Sequence, residues 1–213
     1  MKASQKEYSQ YEIRMKNKSR KRPVGRPPFL TDRDCRILNY LWRWKVASTA
    51  SVHEMINRPS SEYSTYKTLF RLEGSGFITS QYDCEGQFSI WTLSKQGFSI
   101  VKNKLSELSD DSFSSDNFEH DRLTQAFHLG EWATHQFPVV EFFTRQEIQR
   151  IEMMDYPDWV PKSKEHLPDG YTKIRSADKT RLYAFEVELF TKRDSKYEAI
   201  MQFYKSLSAL VKF

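Results

Sequence analysis

A chain of 213 residues that is 38% hydrophobic and 15% aromatic has enough apolar mass for one large or two small packed domains, and too much for a disordered chain. With no apolar run of bilayer-spanning length and no hydrophobic stretch behind the N-terminus, a membrane span and a secretory signal are not expected; a cytoplasmic, nucleoid-associated protein is. The net charge of +5 is concentrated at the front: residues 1–28 hold nine Lys/Arg against two Glu, residues 29–105 ten against seven acids, and residues 106–213 fourteen against nineteen. Nucleic acid is the usual partner of such a front end, with an anionic membrane second.

Residues 1–28 end in KNKSRKRPVGRPP, where Pro23, Pro27 and Pro28 deny a helix and the few apolar groups cannot form a core. A disordered basic arm is expected, with Lys21, Arg22 and Arg26 as its DNA contacts. The Gly25-Arg26-Pro27 strip resembles the centre of an AT-hook, which lies in a narrow A/T minor groove, but Val24 stands where that pattern has another Arg. The plainer role is phosphate neutralisation.

Thr31 followed by Asp34 spells a capping box, and Ile37, Leu38, Leu41 and Trp42 recur at helical spacing behind it. A second helix is expected from Thr49 to Ile56, with Val52, Met55 and Ile56 inward, stopped by Arg58-Pro59. A third spans Ser60 to Phe77. Its Tyr66, Leu69 and Leu72 share an inward face, while Ser64, Lys67, Thr68 and Arg71 line a polar, cationic one. Gly74 and Gly76 offer a left-handed stop. Two strands, Phe77–Tyr82 and Phe88–Leu93, then flank the polar turn Asp83-Cys84-Glu85-Gly86, and a last helix runs to about Leu105. Cys35 and Cys84, with no CxxC spacing, read as buried thiols.

This order resembles a winged helix-turn-helix over residues 29–105, on an L-T-x-R-D start, an L-x-R-L-E-x-x-G-x-I third helix and W-T-L-S-x-x-G after the wing. The resemblance implies a third helix in the major groove of double-stranded DNA and a wing on the backbone. Carried over, Lys67 or Arg71 would address guanine, and Ser64 and Thr68 would meet bases or phosphates. A winged helix used for protein contact is the rival, and a solvated surface the bland alternative.

Residues 106–119 hold five acids, five serines and no base, the composition of an acidic linker. Beyond it come a helix from His120 to Gln136, a strand from Pro138 to Phe143, and a helix to about Ile151 opened by Thr144 and Glu147. A long Pro-punctuated loop reaches Pro168-Asp169-Gly170 and a strand at Tyr171–Ile174. Arg181–Phe190 alternates, placing Tyr183, Phe185, Val187 and Leu189 on one face and Leu182, Ala184, Glu186 and Glu188 on the other. The closing helix spans about Ser195–Val211. The whole is α+β, with an α/β domain over 120–213.

Helix, strand, strand, strand, helix, with Pro-Asp before the second strand and Glu-x-Glu on the third, resembles the PD-(D/E)xK nuclease core without its last strand. That resemblance implies Asp169 and Glu186 holding Mg²⁺ or Mn²⁺, with Glu188 and Lys192 completing the catalytic group. Glu188 occupies the position of the family's Lys, so Lys192 or Lys196 would reach back to the site, or His120 from the first helix. The alternative is a solvated edge-strand face beside a simple turn. The five His are scattered and otherwise read as packing or surface groups. Taken together, the winged helix, His-Asp, Pro-Asp-Gly and Glu-Val-Glu-Leu resemble the replication-relaxation family of bacterial mobile-element proteins.

The expectation is a non-catalytic, sequence-specific DNA-binding protein, a transcriptional regulator or plasmid replication accessory. Its second domain would pair two copies or recruit a partner protein. The alternative is a metal-dependent DNA endonuclease using Asp169, Glu186 and Glu188.

Overall fold

The computed structural model describes residues 29–57, 59–82, 89–105, 113–129, 140–163, 165–175 and 179–210. The chain is α+β and divides into two compact units, Met1–Asn103 and Lys104–Phe213. Among the described residues no helix is long and apolar enough to cross a membrane.

In the first unit, α1 (Asp32–Trp44) opens on the capping box that its sequence spells. The Asp34 N–H donates to Thr31 Oγ1 at 3.3 Å, and the Thr31 N–H donates to Asp34 Oδ2 at 3.0 Å. Ile37, Leu38 and Leu41 turn inward from it and are fully buried. A short strand, β1 (Ala47–Ser48), leads into α2 (Thr49–Val52), capped by Ser48, and α2 widens into a π-helical turn over His53–Asn57. A wider turn advances each side chain through a smaller angle than α spacing assumes. Met55, expected inward, is accordingly 38% exposed, while Val52 is buried as expected.

The third helix, α3 (Glu62–Gly74), is capped by Ser61 and buries Tyr66, Leu69 and Leu72. It stops where Gly76 adopts φ +80° and the Phe77 N–H returns to the Leu72 carbonyl at 3.1 Å. Strands β2 (Ile78–Tyr82) and β3 (Ser89–Leu93) pair antiparallel from Ile78↔Leu93 to Tyr82↔Ser89, and β1 adds to the other edge of β3, giving the order β1-β3-β2. The tip between them, residues 83–88 with Cys84, lies outside the described residues, and Cys35 is half-buried rather than buried. Ser94 caps α4 (Lys95–Lys102), whose Phe98 and Val101 are buried. Trp91 is fully buried, meets the Tyr66 ring edge-on and donates its indole N–H to Thr49 Oγ1 at 2.9 Å.

The second unit starts with α5 (Phe118–Leu129) and the strand β4 (Val140–Thr144). Next come α6 (Arg145–Arg150), capped by the expected Thr144–Glu147 box, and a 3-10 turn at Met153–Asp155. Strands β5 (Gly170–Arg175) and β6 (Thr180–Phe185) precede α7 (Asp194–Leu210). The sheet is antiparallel, ordered β4-β5-β6. One face joins Phe143 and Tyr171 to Ile148, Tyr156 and Val160, with Leu182 packed against them. On the other face His128 donates to or accepts from Thr172 Oγ1 at 2.6 Å and lies against the rings of Phe142 and Phe185.

The sequence expectation for the last strand needs one correction: the ladder ends at Phe185, so Glu186 and Glu188 follow the strand rather than ride on it. The alternation within the strand holds. Leu182 and Ala184 share the Tyr171 face, because Ala184 stands opposite Tyr171, while Tyr183 and Phe185 share the Thr172 face, where Phe185 lies against His128.

Candidate functional site

Two groups of chemistry-bearing side chains stand out, one on each unit. On α3, side chains advance about 100° per residue, so the outward stripe follows from which residues are buried. Thr68 is only 5% exposed, and its hydroxyl donates to the Ser64 carbonyl at 3.0 Å. Arg71 forms an ion pair with Asp34, a carboxylate that has no solvent exposure and whose other oxygen caps α1. Two of the four expected groove residues are thus engaged within the protein: Thr68 is buried, and Arg71, its side chain still 34% exposed, pairs with a residue 37 positions away in the chain.

Lys67 is exposed and Ser64 half-buried. The outward stripe is Tyr63, Lys67, Phe70 and Gly74, at i, i+4, i+7 and i+11. The Lys67 ammonium lies 4.5 Å from the centroid of the Tyr63 ring, and Phe70 stacks on Tyr66 with centroids 6.3 Å apart. Sequence reading passed over Tyr63 and Phe70 because it sought polar groups; their spacing around Lys67 was the available signal. The arm residues Lys21, Arg22 and Arg26 lie outside the described residues.

In the second unit, the strand ends bring Asp169 beside the segment from Glu186 to Lys192. The Asp169 N–H donates to the Phe185 carbonyl at 2.9 Å. Asp169 is 5% exposed, and both oxygens are engaged: Arg145 Nη1 donates to Oδ1 at 3.0 Å and the Val187 N–H to Oδ2 at 2.8 Å. His120 Nε2 is 3.4 Å from Oδ2 and 3.0 Å from the Val187 carbonyl. Glu186 pairs with His166 and accepts the Tyr204 hydroxyl at 2.6 Å. Glu188 pairs with Lys192.

The electrostatics follow from these contacts. The hydrogen bond to Glu188 raises the Lys192 pKa against partial burial, and the Glu186 and Asp169 charges add to it, so the four residues lie within electrostatic reach. Burial and then Glu186 push the Tyr171 hydroxyl up to about 12. Tyr204 is raised by burial first and by its bond to Glu186 second. His166 went unrecognised in the sequence because twenty residues separate it from Glu186.

Mg²⁺ or Mn²⁺ does not fit this arrangement. The pair that would hold it is Asp169 and Glu186, but a guanidinium and a backbone amide already occupy Asp169, and a phenol and an imidazole share one oxygen of Glu186. Among the described residues no group of three or more His, Cys, Asp or Glu could hold a metal ion. The chemistry visible here is that of a buried acid cross-linking two strand ends, α5 and α6.

No family model matches the chain, and no curated protein does. Among solved structures, a double mutant of Lactococcus lactis ZitR aligns over 46% of this chain and 68% of its own, at 16% identity and a TM-score of 0.31. A likeness of that size identifies neither a fold nor an activity.

Proposed function

We propose that residues 29–105 form a winged helix-turn-helix that binds double-stranded DNA sequence-specifically, with α3 in the major groove and the β2–β3 hairpin beside the backbone. The observation that carries this reading is Lys67: an exposed cation at the middle of a helix whose opposite face is anchored by Leu69 and Leu72, with the Arg71–Asp34 pair tying down the turn after it. Arg71 acts in this reading as a brace that holds α3 against α1, and the basic residues 1–28 neutralise phosphates. The second unit is non-catalytic and pairs two copies or recruits a partner protein, since one reading helix spans a short site. A regulator or replication accessory of a plasmid or mobile element is the setting this implies.

The test is selection from pooled duplexes followed by retardation of the preferred one, with and without Mn²⁺. Lys67→Ala should weaken specific binding by about 1–3 kcal/mol. Failure to retard any duplex at low salt would sink the reading. Mn²⁺-dependent nicking that Glu186→Ala abolishes would replace the non-catalytic second unit with an endonuclease.

A further inference from the structure

The outward stripe of α3 is aromatic, cationic, aromatic. We propose that it reads thymine methyl groups, with Tyr63 and Phe70 making apolar contacts on either side of a Lys67 contact; this rests on the DNA-binding reading above. Phe70 has no hydrogen-bonding atom on its side chain, so it can tell base pairs apart only by apolar contact. The C5 methyl of thymine is the apolar group that standard base pairs present in the major groove. Phe70 is also presented firmly: its ring is stacked on Tyr66, which is itself buried against Trp91, while Phe70 remains only half-buried.

The spacing suits a duplex. Seven residues at about 1.5 Å rise carry Phe70 roughly 10 Å along the axis from Tyr63, close to three base steps at about 3.4 Å. Lys67 sits between them, with its ammonium held over the Tyr63 ring, and three donors suit guanine O6 and N7. Gly74, next along the stripe, has no atom within 4 Å of where a Cβ would stand, so nothing of its own surroundings crowds the approach. The preferred site should therefore carry thymines about three steps apart, flanking a guanine.

The probe is the preferred duplex compared with its deoxyuridine counterpart, which lacks only the methyl groups, at one salt concentration. Each contacted methyl should be worth about fourfold in affinity. Phe70→Ala should bind the thymine duplex more weakly and lose the distinction at one thymine, and Tyr63→Ala at the other. If Phe70→Ala fails to fold, the comparison on the unaltered chain decides by itself. Equal affinity for the thymine and uracil duplexes would overturn the methyl contact and leave DNA binding standing. No retardation of any pooled duplex would overturn both.

Discussion

Replacing Gly97 by alanine tests how the first unit is assembled. A Cβ on Gly97 would stand 1.9 Å from the Phe77 carbonyl oxygen, 2.9 Å from its carbon and 3.1 Å from Leu93 Cδ2. An ordinary contact of carbon with a carbonyl oxygen begins at about 3.3 Å, so restoring one needs the start of α4 to retreat by about 1.4 Å. The oxygen cannot yield freely, because it accepts the Ser94 N–H at 3.1 Å where α3 hands over to β2. Overpacking of this kind costs about 1–3 kcal/mol and the strained hydrogen bond about 1 more, against roughly 1 regained from helix propensity. A net loss of about 1–3 kcal/mol should lower the urea midpoint by roughly 1 M at unchanged slope. Trp42, Trp44 and Trp91 are buried in this unit, so fluorescence reports it in a background where Trp132 and Trp159 are replaced by Phe. A variant as stable as the parent, or more so, would refute the close approach, since propensity alone favours alanine.

Asp34→Ala removes a cap and leaves Arg71 without its carboxylate, and should cost about 2–4 kcal/mol; a double-mutant cycle with Arg71→Ala that shows no coupling would refute the brace. Asp169→Ala should destabilise the second unit by about 3 kcal/mol, whether or not Mn²⁺ is present. Unchanged stability, seen as an unmoved melting temperature, would mean that the bonds from Arg145 and Val187 do not hold that unit together. Tyr171 and Tyr204 have raised folded pKa values, so their contribution is complete below the unfolded value of about 10 and is lost as pH climbs toward the folded values. Urea stability should therefore fall above about pH 10, and Tyr204→Phe should flatten the decline; an equally steep decline in the variant would contradict this. Deleting residues 1–28, with nine Lys/Arg, should reduce the salt dependence of DNA binding by several counterions, and an unaltered slope would remove the arm's anchoring role.

Legibility in the sequence tracked the range of the interaction. The capping boxes at Thr31–Asp34 and Thr144–Glu147 join residues three apart, so four letters of sequence contain the whole hydrogen-bond pattern. The buried stripe of Tyr66, Leu69 and Leu72 follows from helical spacing alone, and the β2–β3 hairpin from two apolar runs about a polar turn. Asp169 and Glu186 were recognised as a pair, and they lie near each other because one comes just before β5 and the other just after β6, where Gly170 pairs with Phe185.

Tertiary contacts decided the rest. Arg71 looked like a groove contact until Asp34, distant in the chain and fully buried, claimed its guanidinium. The segment Leu182–Phe185 has apolar groups on both faces, and only the sheet shows what covers each: Leu182 packs on the Tyr171 cluster and Phe185 on His128. The same holds for Asp169, whose meaning depends on Arg145, His120 and the Val187 amide arriving from three other segments. By itself the sequence determined where the capped helices begin and which of their faces is apolar, because capping and helical spacing act within a turn or two. Which side chain faces water and which carboxylate is neutralised came only with the tertiary structure, because burial and pairing are set by through-space neighbours that local pattern does not encode.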